Sequence, residues 1–169
     1  MGDDLTSCCF TGYRPQKFPF SLNREDDDYV AFENRLSLKI LELIKNGCVC
    51  FYTGMAMGFD IIAAETVLSA REIFPQASVK LICAVPFKEQ PVTFPNEWKR
   101  RYRNILENCD DIILVSDRYF PSCYMKRNKY MVDNSDCVLC YFDGQKGGTK
   151  STVDYAKERG RAVINLINE

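Results

Sequence analysis

Short runs of consecutive apolar residues alternate along the chain with longer segments in which apolar positions recur every three to four residues. The runs Ser7–Thr11, Cys48–Thr53, Val79–Val85, Ile112–Val115, Cys137–Phe142 and Ala162–Leu166 predict six strands. Several are apolar without interruption, the pattern of strands covered on both faces. Between them, Asp26–Asn46 places Leu36, Ile40, Leu43 and Ile44 on one helical stripe, with Gly47 as its stop. Phe59–Phe74 carries Ile61, Ala64 and Leu68 on one face and ends before Pro75. Asn96–Asn108, Ser122–Asn134 and Thr149–Arg159 complete five predicted helices, the last closed by Gly160. Parallel strands need crossover connections, so this alternation predicts an α/β class, doubly wound and three-layered, with a mostly parallel sheet. No repeat, low-complexity tract or linker interrupts it, and residues 1–169 are expected to form a single domain.

Composition narrows the chemistry. The chain has 169 residues and no histidine, so Ser-His-Asp and Cys-His pairs, imidazole metal ligands and imidazole proton shuttles are all excluded. Carboxylates, Arg, Lys, hydroxyls, thiols and backbone amides remain. Lys and Arg number 22 against 23 Asp and Glu, a net charge of −1, and the pI is about 5.6. That balance argues against a general polyanion binder, and nucleic acid is not the expected partner.

The acidic opening Met1-Gly2-Asp3-Asp4 and the short apolar run after it predict neither a signal peptide nor a spanning helix, so a cytoplasmic protein without membrane contact is expected. In that compartment the nine cysteines are expected to be reduced, small, buried hydrophobes. Cys137 and Cys140 have zinc-like spacing. On a strand, however, they point to opposite faces, and no second chelating pair accompanies Cys48 and Cys50. No metal and no cofactor are expected.

Ligands of open α/β sheets bind beyond the carboxyl ends of the strands, so the residues just after each strand are the informative ones. The first predicted strand leads into Gly12-Tyr13-Arg14-Pro15. The second ends in Thr53-Gly54-Met55-Ala56-Met57-Gly58-Phe59-Asp60, and the fifth runs through Asp143-Gly144-Gln145-Lys146-Gly147-Gly148-Thr149 into a helix. Glycine admits close backbone approach, helix N-termini present unpaired N–H groups, and Arg14 can clamp phosphate bidentately. Each turn alone also fits plain strand–helix geometry, and neither a Walker A loop nor a Gly-x-Gly-x-x-Gly is present. Together they favour a phosphate-bearing small molecule. Arg127 and Asn128, near the start of the fourth predicted helix, lie within reach of the strand ends, although spacing alone reads Arg127 as a solvated residue. The basic run Lys99–Arg103 spreads around a helix, and Asp26–Asp28 complement a helix dipole, so neither is read as a site. Trp98 is expected to form a wall with Phe94 and Pro95.

Four motifs, Cys9-Phe-Thr-Gly-Tyr-Arg-Pro15, Gly54-Met-Ala-Met-Gly-Phe-Asp60, Lys126-Arg-Asn-Lys-Tyr-Met-Val-Asp133 and Gly147-Gly-Thr-Lys-Ser-Thr152, stand in the order and spacing of bacterial and phage SLOG-family proteins. The chain resembles that family from Cys8 to Ile167, which implies a Rossmann-like fold. Two branches frame the expectation. The Smf-type DNA-processing proteins carry a glycine turn similar to Thr53–Asp60. The Lonely Guy phosphoribohydrolases, which cleave nucleoside 5′-monophosphates to base and ribose phosphate, carry an Arg-Lys-x-x-Met helix motif and a Pro-Gly-Gly-x-Gly-Thr-x-x-Glu turn. Arg127 and Met131 match the first with Asn128 in place of Lys. Gly147 and Gly148 match the second, with Lys146 for Pro, Lys150 for Gly and Asp154 in the slot of the catalytic Glu. Tyr13 stands where relatives often have His.

The phosphate-cradling parts are thus better kept than the cutting parts. The leading expectation is a domain that binds a nucleotide or ADP-ribose-like molecule, as a sensor or a sequestering protein. Gly12, Arg14, Gly54, Met55, Gly58, Gly147, Gly148, Thr149 and Thr152 are expected to hold it, with Arg127 and Asn128 closing the site. Asp60 would orient the second turn or accept from a ribose hydroxyl. The alternatives are a phosphoribohydrolase using Arg127 and Asp154, a single-stranded DNA accessory protein, and a vestigial pocket in a homo-oligomer.

Overall fold

A computed structural model describes residues 5–169; the acidic start Met1–Asp4 lies outside the described residues. Six strands, β1 (Ser7–Gly12), β2 (Cys50–Thr53), β3 (Lys80–Val85), β4 (Asp111–Leu114), β5 (Cys137–Tyr141) and β6 (Ala162–Asn165), form one sheet in the order β4-β3-β2-β1-β5-β6. Every neighbouring pair is parallel, so the sheet is wholly rather than mostly parallel. Five helices connect the strands: α1 (Asp27–Lys45), α2 (Phe59–Ile73), α3 (Asn96–Asn108), α4 (Cys123–Asp133) and α5 (Gly148–Glu158). Helices α1–α3 pack side by side on one face and α4 and α5 on the other, the three-layer Rossmann-like arrangement. No helix among the described residues is long and apolar enough to cross a membrane.

Elements begin and end where local chemistry dictates. Asp26 caps α1, its carboxylate accepting from Asp28 N at 3.0 Å and from Ser21 N at 3.0 Å. At the other end Cys48 N donates to Leu43 O and Gly47 N to Ile44 O, a Schellman closure around Gly47 at φ 103°. Cys48 is thereby committed to the helix end, and for this reason β2 starts at Cys50 rather than at the expected Cys48.

The larger core lies between the sheet and α1–α3 around Phe10, Phe32, Phe51 and Phe59, all fully buried. The smaller lies under α4 and α5. Cys137 belongs to the first and Cys140 to the second, so strand alternation does send the two thiols to opposite faces. All nine cysteines are free, and no group of three metal-ligating side chains occurs among the described residues. The basic run on α3 resolves as residues with separate duties. Arg101 grips Glu65 with two bonds of 2.7 and 2.8 Å and stacks on buried Trp98, while Tyr102 enters the core.

Asp136 fastens the amino end of β1 to that of β5. Its Oδ2 accepts from the backbone and hydroxyl groups of both Thr6 and Ser7, at 2.9–3.0 Å. Partial burial pushes its carboxyl up, but these four bonds outweigh it and hold the group below the ordinary carboxylate range. A depressed folded-state pKa stabilises above the unfolded value, near 4, and the contribution is lost as pH falls through the folded value. Comparing the native chain with Asp136→Asn by urea denaturation should show a stability gap that is full at pH 7 and closes below about pH 4. A gap that is independent of pH would contradict this assignment.

Candidate functional site

The strand order reverses between β1 and β5, so the carboxyl ends of these two strands splay their connections apart and leave a crevice. A cavity of about 430 Å³ opens there, bounded by Gly12–Arg14 and Lys17 on one side and Phe142–Thr149 on the other. Among the described residues its charged lining comprises Arg14, Lys17 and Lys146 against one carboxylate, Asp143. The N–H of Gln145, at 3.0 Å, holds that carboxyl below its usual range, so it stays ionised near neutral pH.

Helix α5 starts at this cavity from Gly147, with no side-chain cap, so its first-turn N–H groups and the positive end of its dipole are uncovered. Thr149 Oγ1 donates to Gly12 O at 3.1 Å and ties the helix start to the β1 turn. A larger recess of about 890 Å³ lies over α1–α3, but its arginines are already engaged: Arg101 with Glu65, Arg24 with Glu33 and Arg71 with Asp110. It offers a ligand little free charge.

Behind Arg14 lies a buried polar cluster built from the β2 turn and α4. Thr53 Oγ1 donates to Asp60 O at 3.0 Å and accepts from Met55 N at 3.3 Å, shaping a turn in which Met55 adopts φ 60°. Such a conformation is uncommon for a side-chain-bearing residue and persists only where the surroundings enforce it. Here Met55 is fully buried. Arg127, also buried, donates from Nη1 to Gly54 O and from Nε to Asn128 Oδ1 at 2.7 Å. Gly54 O accepts a further bond from Gln90 Nε2 at 3.1 Å, and Gln90 is held in turn by Tyr102. Burial pushes the Asp60 carboxyl up, while Arg127 and Arg14 pull it down without reversing the shift. Burial likewise lowers Arg127, with Asp60 opposing. No ion pair reaches Arg127 among the described residues.

The expected site residues therefore divide into three groups. Gly12, Arg14, Gly147, Gly148 and Thr149 meet at the cavity. Gly54, Met55, Gly58, Asp60, Arg127 and Asn128 assemble behind it. Thr152 and Asp154 lie on α5, where the Thr152 hydroxyl bonds Gly148 O at 2.9 Å and Asp154 pairs with Lys150. No hydrogen bond or ion pair joins Arg127 to Asp154 among the described residues.

The close approaches that require glycine in the first two turns are approaches of protein to protein. A Cβ on Gly12 would fall 2.5 Å from the Phe59 ring, one on Gly54 2.5 Å from Arg127 Cζ, and one on Gly58 onto the Tyr13 carbonyl. A Cβ on Gly148 would meet no other part of the described residues within 4 Å.

Tyr13 does more than its position in the first motif suggests. Its N donates to Tyr141 O, its carbonyl accepts from Phe59 N, and its hydroxyl accepts from Asp143 N at 2.7 Å, so one residue joins three turns. Gln90 and Tyr102 join the cluster without any motif that announces them. The Trp98, Tyr102, Ile105 stripe marks Tyr102 as inward, but nothing local marks Gln90.

Two solved structures share this fold. DNA processing protein A of Helicobacter pylori superposes with a TM-score of 0.65 at 20% identity, over 96% of this chain and 66% of that one. The Streptococcus pneumoniae protein gives 0.61 at 17%, over 95% and 50%. The chain thus spans about two thirds and one half of their lengths. In sequence it is 33% identical over 142 residues to the SPbeta prophage-derived protein YoqJ of Bacillus subtilis, covering 76% of this chain and 82% of that one. A UPF0398 protein of Halalkalibacterium halodurans is 30% identical over 155 residues, covering 88% and 79%. Residues 8–166 match the model of the YspA SLOG family, and the chain belongs to that family.

Proposed function

We propose that residues 1–169 act as one binding domain for a nucleotide or ADP-ribose-like molecule, whose phosphate sits in the β1/β5 crevice. One observation carries this reading: among the described residues, an uncapped helix N-terminus and three cations meet one carboxylate in a 430 Å³ cavity at the switch point of the sheet. Sequestering needs nothing more than such a site.

The phosphoribohydrolase alternative depends on Arg127 and Asp154, and both are occupied by protein partners, Gly54 and Asn128 for one and Lys150 for the other. Binding without turnover is therefore the reading these contacts support. The balanced charge argues against a polyanion, but the crevice itself is cationic. The Helicobacter pylori protein of the same fold has a single-stranded DNA binding mode. An oligonucleotide therefore belongs in the test.

Thermal melting should be followed against nucleoside mono-, di- and triphosphates, ADP-ribose and oligothymidylate. A true ligand at a hundredfold over its Kd is expected to raise Tm by roughly 5–10 °C. No shift with any member of the panel would refute the proposal.

A further inference from the structure

The carboxyl ends of β3 and β4 carry an aromatic group that the phosphate cradle leaves unused. Phe87 lies just past β3, Tyr119 lies on the β4–α4 connection, and Tyr124 sits on the first turn of α4. Their rings form one cluster, with centroids 5.5 Å apart for Phe87–Tyr119, 5.8 Å for Phe87–Tyr124 and 6.4 Å for Tyr119–Tyr124. Phe87 is buried and Tyr124 half-buried, yet Tyr119 is 59% exposed.

Its backbone is not loose. Ser116 Oγ donates to Arg118 O at 2.7 Å, Cys123 N donates to Phe120 O at 3.0 Å, and Lys88 ties Asp117 to the β3 end at 3.0 Å. A tyrosine on a connection pinned on both sides of it and packed against two more rings offers an aromatic face with a reduced ordering cost.

Tyr124 links this cluster to the cradle. The guanidinium of Arg14, which lines the crevice, lies 5.9 Å from the centroid of Tyr124, and that of Arg127 lies 5.8 Å from it. A cationic crevice and an aromatic face that share an arginine suit a molecule with phosphate at one end and a flat π-ring at the other. Resting on the nucleotide reading above, we propose that Tyr119, backed by Phe87 and Tyr124, is the surface on which the nucleobase stacks. Stacking accepts any base, because every base has a π-face, so the contact adds affinity with little base selectivity.

Calorimetry on the full chain with adenosine 5′-monophosphate, ribose 5-phosphate and oligothymidylate tests this in the native protein, Tyr119→Ala and Tyr119→Phe. Tyr119 is largely exposed, so the alanine variant should fold, and its melting curve checks that. The native protein should bind the nucleotide about tenfold or more tighter than ribose 5-phosphate. Tyr119→Ala should erase that advantage without changing ribose 5-phosphate binding, and Tyr119→Phe should keep it. A Tyr119→Ala protein that binds the nucleotide as the native one does, or a native protein that prefers neither ligand, overturns the stacking face while the cradle stands. Binding of none of the three ligands overturns both. An oligothymidylate that binds more tightly than the mononucleotide, and loses that gain in Tyr119→Ala, supports the face and identifies a single strand as the source of the base.

Discussion

Gly58→Ala is expected to remove roughly 2–6 kcal/mol of folding stability, a large share of the 5–15 kcal/mol typical of a domain. Two costs add. The residue sits at φ 93° and ψ −129°, a region that side-chain-bearing residues enter only at about 1–3 kcal/mol. The new Cβ would also land on the carbonyl oxygen of Tyr13. That atom is backbone, so it cannot swing aside as a side chain would, and overpacking of this kind costs roughly another 1–3 kcal/mol. The bond from Phe59 N to Tyr13 O, 3.0 Å long, would be strained as well.

Gly144→Ala is the matched control. Its φ is 89°, but nothing lies within 4 Å of the added carbon. It should cost only the backbone part, about 1–3 kcal/mol. Urea denaturation of both variants separates the two contributions. Equal losses at the two positions would show that the Tyr13–Gly58 approach carries no special weight.

Arg14→Ala is expected to weaken binding of a phosphate-bearing ligand by about a hundredfold, corresponding to roughly 2–3 kcal/mol for a charge-assisted contact in a partly desolvated crevice. Arg14 is half-buried and lines the cavity directly, and its removal leaves Lys17 and Lys146 as the cations there among the described residues. Arg14→Lys should recover part of the loss, because it restores the charge but not the planar fork. The fold should survive both changes, since the neighbouring Tyr13 contacts that join the turns run through other atoms. Titration calorimetry with adenosine 5′-monophosphate reads the affinity, and circular dichroism checks the fold. Unchanged affinity in Arg14→Ala would place the phosphate elsewhere.

Much of the fold is legible in the chain. Strand runs and helical stripes lie within local stretches, so all six strands and five helices occur where periodicity puts them, with ends displaced by one or two residues. The displacement at Cys48 has a definite cause, since closing α1 uses its backbone N–H. The alternation of Cys137 and Cys140 across β5 is equally readable, because a strand has period two whatever surrounds it. Arg127 is the opposite case: spacing reads it as solvated, and the fold buries it. Charged residues seldom bury, and nothing in its own helix reports that Gly54 has left room for a guanidinium. Gln90 is invisible in the sequence because its partners, Gly54 and Tyr102, come from different elements.

Sequence by itself determined the class of fold, the family, and which turns carry glycine and arginine. It could do so because periodicity, caps and motifs are properties of neighbouring residues. Only the tertiary structure decided what those residues meet. The strand order sets β1 beside β5, so Thr149 bonds Gly12 across a separation of 137 residues and the crevice forms between their turns. The same packing fills the space at Gly12, Gly54 and Gly58 with Phe59, Arg127 and Tyr13. It leaves the start of α5 open. A glycine in a turn permits close approach by anything, and only the folded chain says whether the neighbour is a ligand or the protein itself.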